Sequence, residues 1–190
     1  MSERIASKLI DLEIVDEEDR ELYVFGVREF FSLLCSFSLI LVIGVLMNLV
    51  LESTVFTCAY LPVRIYAGGY HAPTQGRCYV LSLAMVVIAL LVIGHADIPG
   101  DVSMMVIVIS SIFIYVLSPS EHKNKPLSET ERRVYKQRVG KILIVLDAIS
   151  CIVMAMTFEK IVLSVAVALL MLLEMMILTL KKEYFFVKRG

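Results

Sequence analysis

Cys78 and His71 are the residues of this 190-residue chain best suited to chemistry, seven positions apart. A thiol can act as nucleophile and an imidazole can take its proton. Both lie in the stretch from Arg64 to Cys78, which also holds Gly68, Gly69, Pro73, Gly76 and Arg77. Were this stretch helical, seven residues would be about two turns and the two side chains would share a face. Its glycines and proline are poor helix-interior residues, so a bent or looped backbone is expected instead. Arg64 and Arg77 add positive charge, which with a histidine nearby raises the thiolate fraction of a cysteine. Taken singly, a cysteine in an apolar chain is usually a small packed residue and a histidine is usually just hydrogen-bonded. Their joint placement sets this pair apart. Cys35, Cys58 and Cys151 fall in apolar segments, where packing is the expected role, and their spacing suggests no disulfide framework. No metal site and no cofactor are expected. A Cys58, His71, Cys78 ligand set is discounted because close Cys-x-x-Cys or His-x-x-x-His pairs are missing and His95 and His122 fall on other loops.

The elements that must carry this pair are hydrophobic. Hydrophobic residues make up 58% of the chain and charged residues 19%, with a mean hydropathy of +0.82. Those values lie outside the range of soluble domains and imply an integral membrane protein. We expect an all-α, polytopic fold, a single membrane-embedded domain over 1–190. Six hydrophobic segments are read at Phe30–Leu51, Val55–Val63, Val80–Gly94, Val102–Leu117, Ile142–Phe158 and Ile161–Leu180. The second is weak and ends at Pro62 and Arg64, so it either spans or re-enters. A turn is expected at Glu52–Thr54. Residues 1–28 read as a charged arm of one or two amphipathic helices, with Ile5, Leu9 and Leu12 and then Leu22 and Phe25 at helical intervals and Asp16 as a candidate cap. Four basic against eight acidic residues there argue against a cleavable secretory signal.

Lys and Arg sort by position. The arm holds 4, the Arg64–Cys78 stretch 2, the 121–141 loop 7 and the tail after Leu180 another 4; of the 18, only Lys160 lies elsewhere. By the positive-inside rule, both termini and the His71/Cys78 stretch are expected at the cytoplasmic face. Inside the apolar segments, Asp147 and Glu174 are costly, so each is expected to pair or to serve function. Asp147, six residues beyond Lys141, is a candidate to orient His71. The 121–141 loop carries seven basic and three acidic residues. Either it is only the topological signal, or Lys123, Lys125, Arg132 and Arg133 dock an acidic peptide tail. Tyr135 is its one aromatic residue, so nucleic acid is not an expected partner. Met171, Met175 and Met176 are expected to pack.

Arg64, then Gly68-Gly69-x-His71-Ala72, then Cys78 resembles the signature of the accessory gene regulator protein B (AgrB) family, membrane cysteine endopeptidases of bacterial quorum sensing. Ser118-Pro119 and Asn124-Lys125-Pro126-Leu127, followed by the charged run from Glu129 to Arg138, resemble that family's loop between its fourth and fifth spans. The resemblance implies an AgrD-type precursor peptide as partner, with Cys78 as nucleophile, His71 as base, and Arg64 and Gly69 in support. It further implies release of the peptide's C-terminal tail and closure of a thiolactone or lactone ring, in a bacterial cell membrane. Main-chain N–H groups near Gly68 and Gly69 are candidates to hold the oxyanion. Oligomeric state is left open, a homodimer included. A rival reading is a small carrier or exporter built on Asp147 and Glu174.

Overall fold

A computed structural model describes residues 2–11, 16–68, 75–120 and 128–187. They divide into two units, Met1–Val42 and Ile43–Gly190. The first holds α1 (Ser2–Asp11), a short 3-10 turn (Glu17–Asp19) and most of α2 (Arg20–Leu46). The second holds α3 (Val50–Ala67), α4 (Gln75–His95), α5 (Gly100–Leu117), α6 (Glu129–Ala155) and α7 (Glu159–Val187). Every regular element among the described residues is helical, as the composition implies.

In the first unit, α1 is amphipathic: Ile5 and Leu9 share one face while Glu3, Arg4 and Lys8 are exposed. Asp16 does precede the next element. Its carbonyl accepts from the Asp19 N–H at 3.1 Å, while its side chain makes no cap bond. The second amphipathic helix expected in the arm is instead the start of α2, which continues without a break from Arg20 to Leu46.

Among the described residues, α2 to α7, each of 18 residues or more, overlap the six hydrophobic segments without sharing their bounds. Two stretches, Gly100–Leu117 and Glu159–Leu180, are long and apolar enough to cross a membrane. Shorter apolar helical stretches run over Phe37–Leu46 and Val80–His95.

Three boundaries differ from the sequence reading. The chain turns at Met47–Leu49, where Asn48 adopts φ 56° and the Leu49 N–H donates to the Gly44 carbonyl at 2.7 Å. Glu52–Thr54 is therefore inside α3. Its polar side chains are satisfied locally, with the Ser53 and Thr54 hydroxyls donating to the Val50 carbonyl at 3.0 and 2.7 Å. The stretch Val55–Val63 is not broken into a separate segment. It belongs to one continuous helix that runs through Pro62 to Ala67, 18 residues and about 27 Å at 1.5 Å per residue. Third, the described end of the 121–141 loop is helix. The Ser128 hydroxyl accepts from the Glu131 N–H while the Glu131 carboxylate accepts from the Ser128 N–H, a capping box that starts α6 thirteen residues before the apolar run at Ile142.

In the second unit α7 is the central helix, packed against α3, α4, α5 and α6. Its Val162, Ala168, Leu169, Leu172 and Met176 have no accessible surface. Met171 and Met175 are also buried, as expected of packing residues. Small residues let the helices approach closely. Gly94 lies against Leu49, Gly100 against Met154 and Gly140 against Tyr115. Truncating Leu169 or Leu172 to alanine would leave a cavity costing about 2–5 kcal/mol.

The same contacts define two ends. At one, Leu49 lies against Gly94 and Met154 against Gly100, with Glu52, Asp101, Glu159 and Lys160 in the first turns of their helices and Asp97 in the connection before α5. At the other, the end of α3, the end of α5 and the start of α6 converge, with Arg64, Arg132, Arg133, Lys136 and Arg138.

Candidate active site

The chemistry-bearing stretch from Arg64 to Cys78 divides into the last turn of α3, a connection at 69–74 and the first turn of α4. Cys78 is the fourth residue of α4. Backbone N–H groups at a helix start favour negative charge, and the thiolate is the nucleophilic form of cysteine. The Cys78 side chain, Gly69, His71, Lys123 and Lys125 lie outside the described residues. The relation of His71 to Cys78 and to Asp147 therefore stands as read from the sequence.

Arg64 sits one turn before the end of α3, its guanidinium carbon 5.7 Å from the centre of the Tyr60 ring. Its carbonyl accepts the Gly68 N–H at 3.0 Å, which closes the helix. Gly68 has φ 81°, a conformation that costs glycine little and other residues more. In this arrangement the Gly68 N–H is engaged within its own chain and is not free to meet a substrate oxygen.

Two other elements grip that last turn. Past the end of α5, the Ser118 N–H donates to the Ile114 carbonyl at 2.9 Å and the Ser118 hydroxyl to the Tyr115 carbonyl at 3.1 Å. The chain then brings Ser120 onto α3. Its N–H and hydroxyl both donate to the Ala67 carbonyl, at 2.9 and 3.2 Å. From α6, Arg138 donates to the Tyr66 hydroxyl at 3.0 Å, and Tyr135 meets the Tyr66 ring edge-on with centroids 5.7 Å apart. Lys136 lies over Tyr115, 5.2 Å from the ring centre. Arg132 and Arg133 are exposed on the first turns of α6.

Tyr66, Ser120, Tyr135 and Arg138 did not stand out as site residues in the sequence. Ser120 adjoins a motif that did, Ser118-Pro119, but no local pattern reports a contact made 53 residues away.

The two acids within apolar segments differ. Asp147 on α6 accepts a hydrogen bond from Ser111 on α5 at 2.9 Å, the pairing expected of a carboxylate in an apolar segment. Glu174 is exposed on α7, on the face that also bears Leu170, Ile177 and Leu178. Cys58 and Cys151 are free thiols on exposed helix faces. This corrects their expected role as packed core residues: the segments are apolar all round, and only the tertiary contacts decide which face turns inward. No group of three or more His, Cys, Asp or Glu side chains suited to a metal is present among the described residues.

Residues 2–180 match the profile of the family Accessory gene regulator B (AgrB). The chain belongs to the AgrB family. A putative AgrB-like protein of Clostridium perfringens (strain SM101 / Type A) is 25% identical over 151 residues, which cover 76% of this chain and 68% of that protein. The accessory gene regulator protein B of Staphylococcus aureus (strain MW2) is 26% identical over 102 residues, 54% of each chain. That of Staphylococcus intermedius is 24% identical over 111 residues, 58% of this chain and 59% of its own. No solved structure matches the chain. AgrB membership, two helices able to cross a bilayer and the apolar composition together mark a membrane protein.

Proposed function

We propose that this AgrB-family protein is a membrane cysteine endopeptidase that processes a quorum-sensing precursor peptide of the AgrD type. The observation that carries this reading is the family match over residues 2–180, which takes in the Arg64, Gly69, His71 and Cys78 signature. Helices α2 to α7 cross the membrane in alternation. The basic end, where α3, α5 and α6 converge, faces the cytoplasm, as the positive-inside rule requires.

His71 takes the Cys78 thiol proton, and the thiolate attacks the peptide carbonyl that precedes the C-terminal tail. The tetrahedral intermediate collapses as His71 returns that proton to the departing amine. The tail leaves, and the remaining peptide stays on Cys78 as a thioester. A thiol or hydroxyl of the bound peptide then attacks this thioester, closing a thiolactone or lactone, and its proton restores the Cys78 thiol. Exchange of one thioester for another is nearly balanced, so ring closure must outrun hydrolysis, and a partly dry site favours that outcome. Arg64 and Gly69 support the intermediate's charge or the backbone around it, while Lys123, Lys125, Arg132 and Arg133 attract an acidic tail. The hydrogen bond between Ser111 and Asp147 supports a helix-pairing role for that acid over a carrier's.

The test is the mass of the cognate precursor after incubation with the protein in liposomes, alongside Cys78→Ala and His71→Ala. Tail loss with the intact protein alone, and a product one water lighter than the linear fragment, is the expected result. Cleavage that survives Cys78→Ala would overturn the assignment.

A further inference from the structure

We propose that Ser120 is a positioning residue for peptide processing, acting on the end of α3 that leads into the His71 connection; this rests on the function proposed above. A helix end leaves its last four carbonyls without intrahelical partners. The Ala67 carbonyl is one of these, and it receives two donors from one residue, the N–H and the hydroxyl of Ser120 at 2.9 and 3.2 Å. A distant residue thus completes the cap.

The contact is also steric. A Cβ built on Gly68 would stand 2.6 Å from the Ser120 hydroxyl oxygen and 2.8 Å from its carbonyl oxygen. Gly68 is therefore required twice, by its φ of 81° and by the presence of Ser120 over it. Ser120 itself is anchored from behind, because Ser118 caps α5 through its N–H and its hydroxyl.

Placement makes this clamp more than a helix cap. Ser120 immediately precedes the 121–127 segment that carries Lys123 and Lys125, and Gly68 lies three positions before His71. One residue thus joins, along the sequence, the segment assigned to the peptide's acidic tail to the helix end that precedes the proposed general base. Such a residue holds the reacting groups in register, and its loss slows turnover more than it weakens binding.

The experiment measures kcat and KM for precursor cleavage in proteoliposomes, with Ser120→Ala, Gly68→Ala, the double variant, Ser120→Thr and Cys78→Ala. Ser120→Ala is expected to lower kcat about tenfold, the scale of one lost hydrogen bond at a positioned group, with KM within about twofold. Ser120→Thr keeps both donors and is expected to retain most of the activity. Gly68→Ala displaces Ser120 by itself, so the double variant should be little slower than Gly68→Ala alone. The pH profile of Cys78 alkylation by iodoacetamide, read by mass spectrometry, should change in Ser120→Ala, which a loss of folded protein alone would not cause. A Ser120→Ala enzyme with kcat within twofold of wild type, or independent multiplicative effects in the double variant, would refute the clamp. Those outcomes leave the peptidase assignment standing; an active Cys78→Ala protein removes the assignment instead.

Discussion

Arg138 on α6 holds Tyr66 on α3 in two ways at once, donating to its hydroxyl at 3.0 Å while its guanidinium carbon lies 5.1 Å from the ring centre. Tyr66 immediately precedes Ala67, whose carbonyl Ser120 caps. The last turn of α3 is thus tied to α6 through a side chain and to the end of α5 through its backbone.

The two parts of the Arg138–Tyr66 contact can be separated. Tyr66→Phe removes the hydrogen bond and keeps the ring, and is expected to cost about 1 kcal/mol. Arg138→Ala removes both parts and should cost more, about 1–2 kcal/mol. Denaturant titration of the reconstituted protein measures both. Equal losses would mean that the cation over the ring contributes nothing.

Arg132 and Arg133 are exposed on α6, and the role proposed for them is to attract an acidic peptide tail through charge. Replacing both with glutamine should raise KM for an acidic-tailed precursor severalfold at low salt and leave kcat near wild type. The difference from wild type should shrink as ionic strength rises. Cleavage assays at two salt concentrations check this, and a salt-independent loss would point to packing instead.

Ser111 and Asp147 join α5 to α6. Ser111→Ala strips the carboxyl of a buried donor and should destabilise the protein by about 1–3 kcal/mol. Asp147→Asn keeps an acceptor for Ser111 and should cost less. If Asp147 only pairs the helices, Asp147→Asn will process precursor at close to the wild-type rate; a hundredfold loss would mark it as the partner that orients His71.

Cys58 and Cys151 face outward, so Cys58→Ala and Cys151→Ala should each change stability by less than about 0.5 kcal/mol, as outward-facing substitutions do. Peptide cleavage by the double variant should match wild type, which isolates Cys78 for labelling. A large loss of folded protein would mean that these faces pack against something after all.

Much of the fold could be read locally, because it is written in sums along the chain. Hydropathy marked the six helices, and lysine and arginine marked one end of the bundle. Boundaries were less legible. The apolar run continues through the turn at Asn48, whose φ of 56° leaves no hydrophobic trace, and Ser53 and Thr54 look like a turn because their bonds back to Val50 cannot be seen in one dimension. The start of α6 was legible in principle, since Ser128 and Glu131 have capping-box spacing.

Residue types and spacing alone determined the membrane character, the helical class and the candidacy of Cys78 and His71, because transfer energies and thiol chemistry belong to individual residues and their near neighbours. Only tertiary structure decided that Cys58 and Cys151 turn outward, that Asp147 meets Ser111, and that Ser120 and Arg138 hold the end of α3. A hydrogen bond between residues 53 or 72 positions apart leaves no periodic signature in the chain; it exists only once packing has brought two helix ends together.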